Sequence, residues 1–450
     1  MRHQQARRLR PSAKMIRCRP TTRPARPRRS LTSLDPTGSF QVMAPLVATL
    51  FGLTYLGMAL GRVPGLRVDR AGIAMIVAVV FVAAGAVPAG GVDDAINFPT
   101  LLLLGGLMVL SARVGASGFY DAAAIWIASQ AGRPLRLLAL TIGVGGALSA
   151  FLVNDIVVFA ITPLLCRGLT ARNLDPRPFI FALAAASNAG SAATLIGNPQ
   201  NILIGQVGGI DFWTYFADAF VSSLVALGIT FGCVAFAWRK SLAAPADDAP
   251  GHRIVFDHQQ AGICGIALMG LLLLFATPLP REMSALLIAA CLIVSRVHPT
   301  RQILDEIDLP LLILIAALFI VNEAFVRTGV PVEAVGVLAT HGLLPDRLSI
   351  LVPLSLFLSN TIGNVPAVVM ILKVWQGIPQ GTFVGLAILS TLAGNLFLVG
   401  SLANLIVAER ASAQGVRLTF RDHAKAGVPI TLLSMLLAAV WLWISGFMPL

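Results

Sequence analysis

The sequence predicts an all-α polytopic membrane protein with two inverted repeats. Each repeat is predicted to contain a re-entrant hairpin and a discontinuous helix, giving about ten spans plus two hairpins. Of the 450 residues, 56% are hydrophobic and only 12% are charged, whereas soluble domains carry about 25% charged residues. The apolar runs are long enough to cross a bilayer as helices, which satisfy their own backbone hydrogen bonds. Several polar phrases also recur in the same order in both halves of the chain.

The formal net charge of +12 is concentrated in the first 40 residues, which hold ten Arg and one Lys against one Asp. The rest of the chain is nearly neutral, which excludes a nucleic-acid binder. Residues 1–42 are predicted to be a disordered basic tail because they lack the apolar residues that build a core. The five cysteines show no paired spacing, so neither a disulfide framework nor a metal site is expected.

The first hairpin is predicted around Asn154 and Asp155, which lie side by side within about thirty otherwise apolar residues. A carboxylate at mid-membrane depth costs about 2.5–3.5 kcal/mol and is normally retained for function. The arms are predicted at 137–153 and 156–169, and the second arm would reach only about 21 Å, short of a hydrocarbon core of about 30 Å. We therefore predict a re-entrant hairpin. Two short full spans, or a capping role for Asp155 alone, are the alternatives.

A discontinuous helix is predicted after this hairpin. Its sequence Thr-Leu-Ile-Gly-Asn-Pro-Gln-Asn at 194–201 combines Gly, Asn and Pro, which end helices. The first half is expected to end near Ile196 and the second half to begin near Asn201. Unwound backbone at membrane depth is tolerated only where it lines a cavity or is buried in protein. The other segments predicted in this half are 43–60, 71–88, 98–116, an interfacial piece at 118–131, and 212–238.

The second half repeats the landmarks of the first. These are an Ile-x-x-Pro sequence, the hairpin skeleton Leu-Ser-x-Phe-Leu-x-Asn, and a Leu-x-Gly-x-x-x-Asn break, at offsets of 211, 206 and 203 residues. The first repeat is therefore assigned to 43–238 and the second to 259–450, with a polar cytoplasmic linker at 239–258. Halves built on hairpins and broken helices are typical of secondary transporters, whose site lies at the midplane between the repeats.

Loop charges predict that the repeats are inverted. The bases of the first hairpin carry five Arg against one Asp, whereas those of the second carry one Arg and one Lys against one Asp. By the positive-inside rule, the first hairpin opens to the cytoplasm and the second to the outside. The N-terminus then falls outside, which is unfavourable for a tail of about +10 charge. We therefore expect Met43, rather than Met1, to begin the functional protein. The alternatives are that the tail is removed by processing, or that it stays inside because the first span does not cross the membrane fully.

These phrases resemble those of the ion transporter superfamily, which includes citrate and dicarboxylate carriers, arsenite permeases and one class of sodium–proton antiporters. The likeness covers 43–450 and lies in the Asn-Asp hairpin, the broken helix and the Ser-Asn-Thr…Asn-Val-Pro second hairpin. It implies a transport domain that slides like an elevator against a dimeric scaffold. Dicarboxylate carriers have Ser-Asn-Thr at both tips, but here the first tip reads Val-Asn-Asp, which is more similar to the arsenite permeases.

The resemblance also implies two cation sites and a substrate site between the repeats. Asp155 is the candidate carrier of a coupling proton. The cation sites implied by matched spacing are Ser149, Asn154 and Gly197 for the first, and Ser355, Asn360 and Gly400 for the second. The implied substrate-binding residues are Asn154, Asp155, Asn198, Asn201, Asn360, Thr361, Asn364 and Asn404.

The leading functional hypothesis is a secondary active transporter that moves a small anion across the bacterial inner membrane, coupled to protons or sodium. The alternatives are arsenite or antimonite efflux, sodium–proton antiport and, from another class, an ion channel. A sodium–proton antiporter would be expected to have a second buried carboxylate at the second tip, at the position that Gly363 occupies. No Lys or Arg is near either tip in the sequence, so helix dipoles and backbone amides would hold an anion.

An enzyme is not expected, because no nucleophile–base pair stands in the membrane portion. No cofactor is expected beyond Na⁺ or H⁺ as coupling ion, and no nucleic acid is expected as a partner. The expected partners are the small anion or arsenite, the lipid bilayer and a second copy of the chain in a homodimer.

Overall fold

The fold is described from a computed structural model. The structure describes residues 36–60, 68–130, 133–243, 256–294, 297 and 299–450. Within these ranges the chain forms helices and turns, without a strand. The helices are α1 Pro36–Leu60, α2 Arg70–Ala83, α3 Val92–Ala95, α4 Phe98–Ala116, α5 Phe119–Ala128, α6 Pro134–Phe151, α7 Asn154–Thr170, α8 Arg177–Ser191, α9 Pro199–Val207, α10 Phe212–Ala237, α11 Arg239–Leu242, α12 His258–Leu274, α13 Arg281–Ile293, α14 Thr300–Asp305, α15 Leu309–Arg327, α16 Val330–Thr340, α17 Leu348–Thr361, α18 Asn364–Val374, α19 Gln380–Ala393, α20 Leu402–Ser412 and α21 Phe420–Ile444.

The predicted fold class is confirmed: the chain is an all-α polytopic protein with a hairpin and a broken helix in each half. The hairpins are α6–α7 and α17–α18, and the broken helices are α8–α9 and α19–α20. In the part of the chain that the structure describes, six helices are long and apolar enough to cross a membrane by length and composition, namely α1 from Met43, α4, α6, α10, α15 and α21. Of these, α6 is one arm of the first hairpin.

The boundaries of the polar elements differ from those predicted. The first broken helix is interrupted between Ser191 and Pro199, whereas the predicted break lay between Ile196 and Asn201. Proline begins the second half because its ring suits the first helical position, where the missing N–H is not needed. In the first hairpin only residues 152–153 form the turn, so Asn154 and Asp155 are the first residues of the second arm.

The predicted tail and linker are partly helical. Helix α1 begins at Pro36, so the last residues of the predicted tail 1–42 belong to it. The first 35 residues, on which the expected disorder and start site depend, lie outside the described residues. The linker predicted at 239–258 begins with the short helix α11 and ends at the first residue of α12, His258. Its residues 244–255 also lie outside the described part.

The two repeats interlock through their shorter helices. Helix α2 packs on α15 of the other repeat, and α13 packs on α4 in the same way. At the second crossing a Cβ on Gly106 would lie 2.9 Å from the Cβ of Ala285, so the helices approach closely only because position 106 is glycine. We call α1–α5 and α12–α16 the frame, and α6–α10 and α17–α21 the hairpin bundle.

The hairpins are related at a different offset from the one the sequence suggested. The second arm of the first hairpin begins at Asn154 and that of the second at Asn364, so these two asparagines are equivalent. The sequence phrases instead pair Asn154 with Asn360, which lies four residues earlier, in the first arm α17. Since a shift of one turn keeps the same helix face, the recurring Leu and Ser positions could not reveal the slip.

Candidate functional site

The turn of the first hairpin docks into the first broken helix. The backbone N–H of Asn154 donates to the carbonyl of Gly197 at 3.0 Å, and the hydroxyl of Ser149 donates to Ser187 at 3.0 Å. A Cβ on Gly197 would lie 2.7 Å from the carbonyl oxygen of Ser149, so only glycine allows this contact. The structure thus brings together the three residues of the first predicted cation site.

The second hairpin docks in the same way, against the matching positions of the second broken helix. Ser359 donates to the carbonyl of Ser390 at 3.3 Å. In the amide orientation that satisfies its neighbours, the nitrogen of Asn364 lies 2.9 Å from the carbonyl oxygen of Gly400. Ser359 and Asn364 therefore occupy the places that Ser149 and Asn154 hold in the first hairpin.

In the second predicted cation site, Asn360 lies against Gly400, because a Cβ added to Gly400 would collide with the Oδ1 atom of Asn360. The Asn360 amide also donates to the carbonyl of Ala393 at 2.9 Å. Ser355 lies about one turn further from the hairpin turn, and its buried hydroxyl has no partner among the described residues. Thr361 donates to the carbonyl of Phe357 in its own helix at 2.9 Å.

Where the two broken helices cross, a buried amide network joins the repeats. Asn188 donates to Asn404 at 3.2 Å and accepts from Ser401 at 2.9 Å. The repeat-related bonds run from Thr391 to Asn201 at 3.2 Å and from Asn198 to Thr391 at 3.3 Å. Asn198, Asn201 and Asn404 thus tie the unwound segments together. Sequence reasoning missed Asn188 and Thr391, which lie in helices that are buried almost throughout.

A cavity of about 610 Å³ reaches from both hairpin turns to one end of the molecule. We call this the Arg70 end; α2 and α15 begin there and α20 ends there. Among the predicted substrate residues, Asn154, Asp155 and Asn364 line the cavity, whereas Asn198, Asn201, Asn360, Thr361 and Asn404 do not. The amide oxygen of Asn154 is buried without a hydrogen-bond partner among the described residues, so it is a free acceptor at the cavity wall.

The cavity wall is rich in charge. Among the described residues it contains four carboxylates and one guanidinium group, those of Asp69, Asp155, Asp308, Glu409 and Arg70. Two of the carboxylates cap helices: Asp69 accepts from Gly72 N at 2.8 Å, and Asp308 accepts from Leu311 N at 3.0 Å. The cavity also meets the N-termini of six helices, α2, α7, α9, α15, α18 and α20.

The expectation that no cation lies near a hairpin turn is wrong. Nη1 of Arg70 lies 3.9 Å from where a Cβ on Gly363 would be, at the turn of the second hairpin. Its Nε donates to the carbonyl of Met58 at 3.0 Å. The two positions are far apart in sequence, and only the packing of α2 on α15 across the repeats brings them together.

At the opposite end the frame closes on the hairpin bundle. Arg281, the first residue of α13, donates to the carbonyl of Gly205 in α9 at 2.6 Å. Next to this bond, Gln206 donates to Glu282 at 3.1 Å. Glu323 of α15 also pairs with Lys373 of α18 at 3.1 Å, which ties the frame to the second hairpin. We call this the Arg281 end.

Comparison with known proteins agrees with this architecture. The family model described as "Citrate transporter" matches residues 55–383. An uncharacterized transporter of Mycobacterium tuberculosis is 28% identical over 429 residues, covering 90% of this chain and 99% of that one. The silicon efflux transporter LSI3 of Oryza sativa subsp. japonica is 26% identical over 459 residues, covering 85% and 94%. The crystal structure of the Alcanivorax borkumensis YdaH transporter has a similar fold, with a TM-score of 0.52 and 13% identity over 91% of this chain and 100% of that one.

Proposed function

Because the chain belongs to the citrate transporter family, and so is a multi-pass transporter of the plasma membrane rather than an enzyme, we propose that it exports a small uncharged oxyacid in exchange for protons. These oxyacids are the hydroxides of metalloids, such as silicic acid and the neutral, fully protonated forms of arsenite and antimonite. The observation that carries this proposal is the charge balance of the cavity between the hairpin turns. The silicon efflux function named for the rice relative supports it.

The charges of the described residues around the cavity nearly cancel. Each helix N-terminus is equivalent to about half a positive charge, so six of them contribute about +3. Together with Arg70 they offset the four carboxylates, which leaves a net charge near zero. For a resident anion, repulsion of about 2 kcal/mol from each carboxylate at about 8 Å, in an effective dielectric of about 20, is offset by attraction to Arg70 and the helix N-termini, so the wall offers an anion no net attraction. A solute with several hydroxyls and no charge suits this wall.

In this proposal the carboxylate of Asp155 carries the exchanged proton. An ionised Asp155 accepts hydrogen bonds from the hydroxyls of the solute, beside the free amide oxygen of Asn154. When the carboxylate takes up a proton from the outer solution, it becomes a weaker acceptor with an O–H donor of its own, and the solute leaves. The protonated carrier returns and releases the proton to the cytoplasm. The positive-inside bias places the Arg70 end, where the cavity lies, on the cytoplasmic side.

The movement we propose is of the elevator type, in which the hairpin bundle slides against the frame of a homodimer. The close contacts inside the bundle support this division, since the hairpins, the broken helices and the amide network are joined to one another. The frame is held by its own cross-repeat contacts. Packed units of this kind exchange between discrete arrangements rather than deforming continuously.

A second candidate, proton- or sodium-coupled anion transport, is favoured by Arg70 and the converging helix N-termini. Protonation of Asp155 would make the cavity net positive by about one charge, which suits a monovalent anion. In this mode the proton and the anion would travel in the same direction, whereas in oxyacid export they travel in opposite directions. The direction of coupling therefore separates the two candidates.

Uptake into everted vesicles tests the proposal. Arsenite, silicic acid and citrate are supplied outside, with and without an imposed pH gradient, and in sodium or potassium buffers. We expect arsenite or silicic acid to accumulate only when the vesicle interior is acidic, with no sodium requirement. Asp155→Asn should abolish the gradient dependence, while Asp305→Asn, at an exposed position outside the cavity, should retain it. Citrate uptake without uptake of either oxyacid would overturn the proposal in favour of anion transport.

A further inference from the structure

The contact that closes the Arg281 end joins the frame to the hairpin bundle. Arg281 belongs to the frame helix α13, and the carbonyl of Gly205 belongs to α9 of the bundle. The bond is short, and Nη1 of the same guanidinium lies only 3.1 Å from where a Cβ on Gly205 would be. If the hairpin bundle slides, this contact must break, because Arg281 belongs to the frame and Gly205 to the bundle, and the two move relative to each other.

The inverted repeat gives Arg281 a counterpart at the other end. Arg70 is the first residue of α2, as Arg281 is of α13, and the two match at the offset that relates the two Ile-x-x-Pro sequences. The same offset relates Asn97 and Asp308, which cap the helices that α13 and α2 pack against. Buried alanines further along the two short helices follow the same register, pairing Ala74 with Ala285 and Ala78 with Ala289.

Gly205, the partner of Arg281, and its neighbour Gln206 also have counterparts. The register that pairs Asn201 with Asn404 in the amide network also pairs Gly205 with Ala408 and Gln206 with Glu409. Glu409 and Arg70 both line the cavity, on opposite sides of the boundary between bundle and frame. In the part of the chain that the structure describes, Arg70 instead bonds to Met58 of its own frame, and no hydrogen bond or ion pair joins it to α20.

From this broken symmetry we infer that Arg70 is the gate residue of the cytoplasmic side. In the outward-facing state its guanidinium closes on the carbonyl of Ala408 and pairs with the carboxylate of Glu409, while Arg281 releases Gly205. The inference rests on the alternating access proposed above. The residue equivalent to Gln206 in the second repeat is Glu409, so the cytoplasmic closure is a direct ion pair. Arginine binds a carboxylate of this kind through the planar fork of its guanidinium group. The two arginines thus close the two ends in alternation.

Paired cysteines test the alternation in full-length protein whose five native cysteines have been replaced. Arg70→Cys with Glu409→Cys probes the cytoplasmic contact, and Arg281→Cys with Gln206→Cys probes the external one. We expect each pair to form a disulfide under mild oxidation in everted vesicles, and each bond to stop transport until it is reduced. In protein carrying all four substitutions, mass spectrometry should find one bond or the other in a molecule, and never both. Both bonds in one molecule would overturn the inference.

Single neutral substitutions provide a second measurement that needs no transport. Leu314→Cys on the cavity wall is labelled with an impermeant maleimide from the cytoplasmic side. Arg70→Gln should raise the labelling rate by shifting molecules toward the observed state, and Arg281→Gln should lower it, each by roughly tenfold. Arg70→Glu combined with Glu409→Arg should restore the native rate, because the exchanged charges can still pair.

The outcomes separate this inference from the proposed substrate. Normal oxyacid transport with no bond between positions 70 and 409, and no change on Arg70→Gln, would overturn the gate and leave the substrate proposal standing. Opposite shifts for the two arginines in a protein that moves none of the oxyacids would support the gate and refute the substrate proposal.

Discussion

Replacing Gly197 with alanine tests whether the break in α8–α9 positions the first hairpin. The added Cβ would lie 2.6 Å from both Cα and the carbonyl oxygen of Ser191, and 2.7 Å from the carbonyl oxygen of Ser149. These are backbone atoms of two packed segments, so no flexible side chain can move aside. Overpacking costs about 1–3 kcal/mol, and a weakened hydrogen bond from Asn154 to Gly197 adds about 1 kcal/mol. We expect a total loss of about 2–4 kcal/mol.

Gly143→Ala is the matched control, because it lies in α6 of the same hairpin and its added Cβ would meet nothing within 4 Å. Alanine in a helix interior is favoured over glycine by about 0.5–1 kcal/mol. Thermal unfolding in detergent and initial uptake rates are measured for both variants. Gly197→Ala should unfold several degrees below Gly143→Ala and transport more slowly while folded. Identical midpoints and rates would refute the argument that this close backbone contact sets the site.

Two further substitutions test contacts that should contribute differently to the free energy of unfolding. Asn188→Leu should lower the free energy of unfolding by about 3 kcal/mol, measured by thermal unfolding in detergent, because it leaves the buried Ser401 and Asn404 without their partner; a loss below about 1 kcal/mol would show that the amide network relaxes around the gap. Lys373→Gln should cost less than about 1 kcal/mol, because Glu323 keeps its bond to Arg327 at 3.0 Å and all three side chains are partly exposed. An unfolding midpoint lowered as far as that of Asn188→Leu would contradict this ranking.

The sequence predicted the architecture because polar residues in an apolar helix are conspicuous. The Asn154–Asp155 pair and the Gly-Asn-Pro break each interrupt a long apolar run, and their recurrence revealed the repeat. The predicted register of the second hairpin was wrong by one helical turn. The error arose because Ser355 and Ser359 lie on the same face of α17. The contact with Ser390, which matches Ser187 in the register of the two broken helices, identifies Ser359 as the equivalent residue.

Arg70 could not be found from the sequence for a different reason. Its place beside the second hairpin depends on α2 packing across the repeats, and hydrophobic periodicity specifies which face of a helix is buried but not which helix covers it. The same limit applies to Asn188, whose helix is buried on every side from Pro178 to Ser191. A helix without an exposed face has no amphipathic pattern that would mark its polar residues as partners of another repeat.

The carboxylates of the cavity are an asymmetry between the repeats. Each of its four carboxylates has an uncharged counterpart in the other repeat, whereas Arg70 and Arg281 are both arginine. The four pairs are Asp69 with Pro280, Asp308 with Asn97, Asp155 with Val365, and Glu409 with Gln206. An anion approaching from the Arg70 end therefore meets four carboxylates that have no repeat-related equivalent at the Arg281 end. For an uncharged solute this difference has no consequence.

The salt dependence of uptake consequently reveals the charge of the solute. Asp69→Asn and Asp308→Asn remove two charges while keeping the caps, because asparagine caps helices as well as aspartate does and Asn97 already caps α4, accepting from Thr100 N at 3.0 Å. Initial uptake of an uncharged oxyacid should be the same in the double variant and the native protein at any salt concentration. An anion would enter the double variant faster at low salt, and added salt would reduce the difference by screening the carboxylates. A low-salt rate raised more than about threefold, together with loss of that gain as the Debye length falls to about 8 Å, would show that the transported species is an anion.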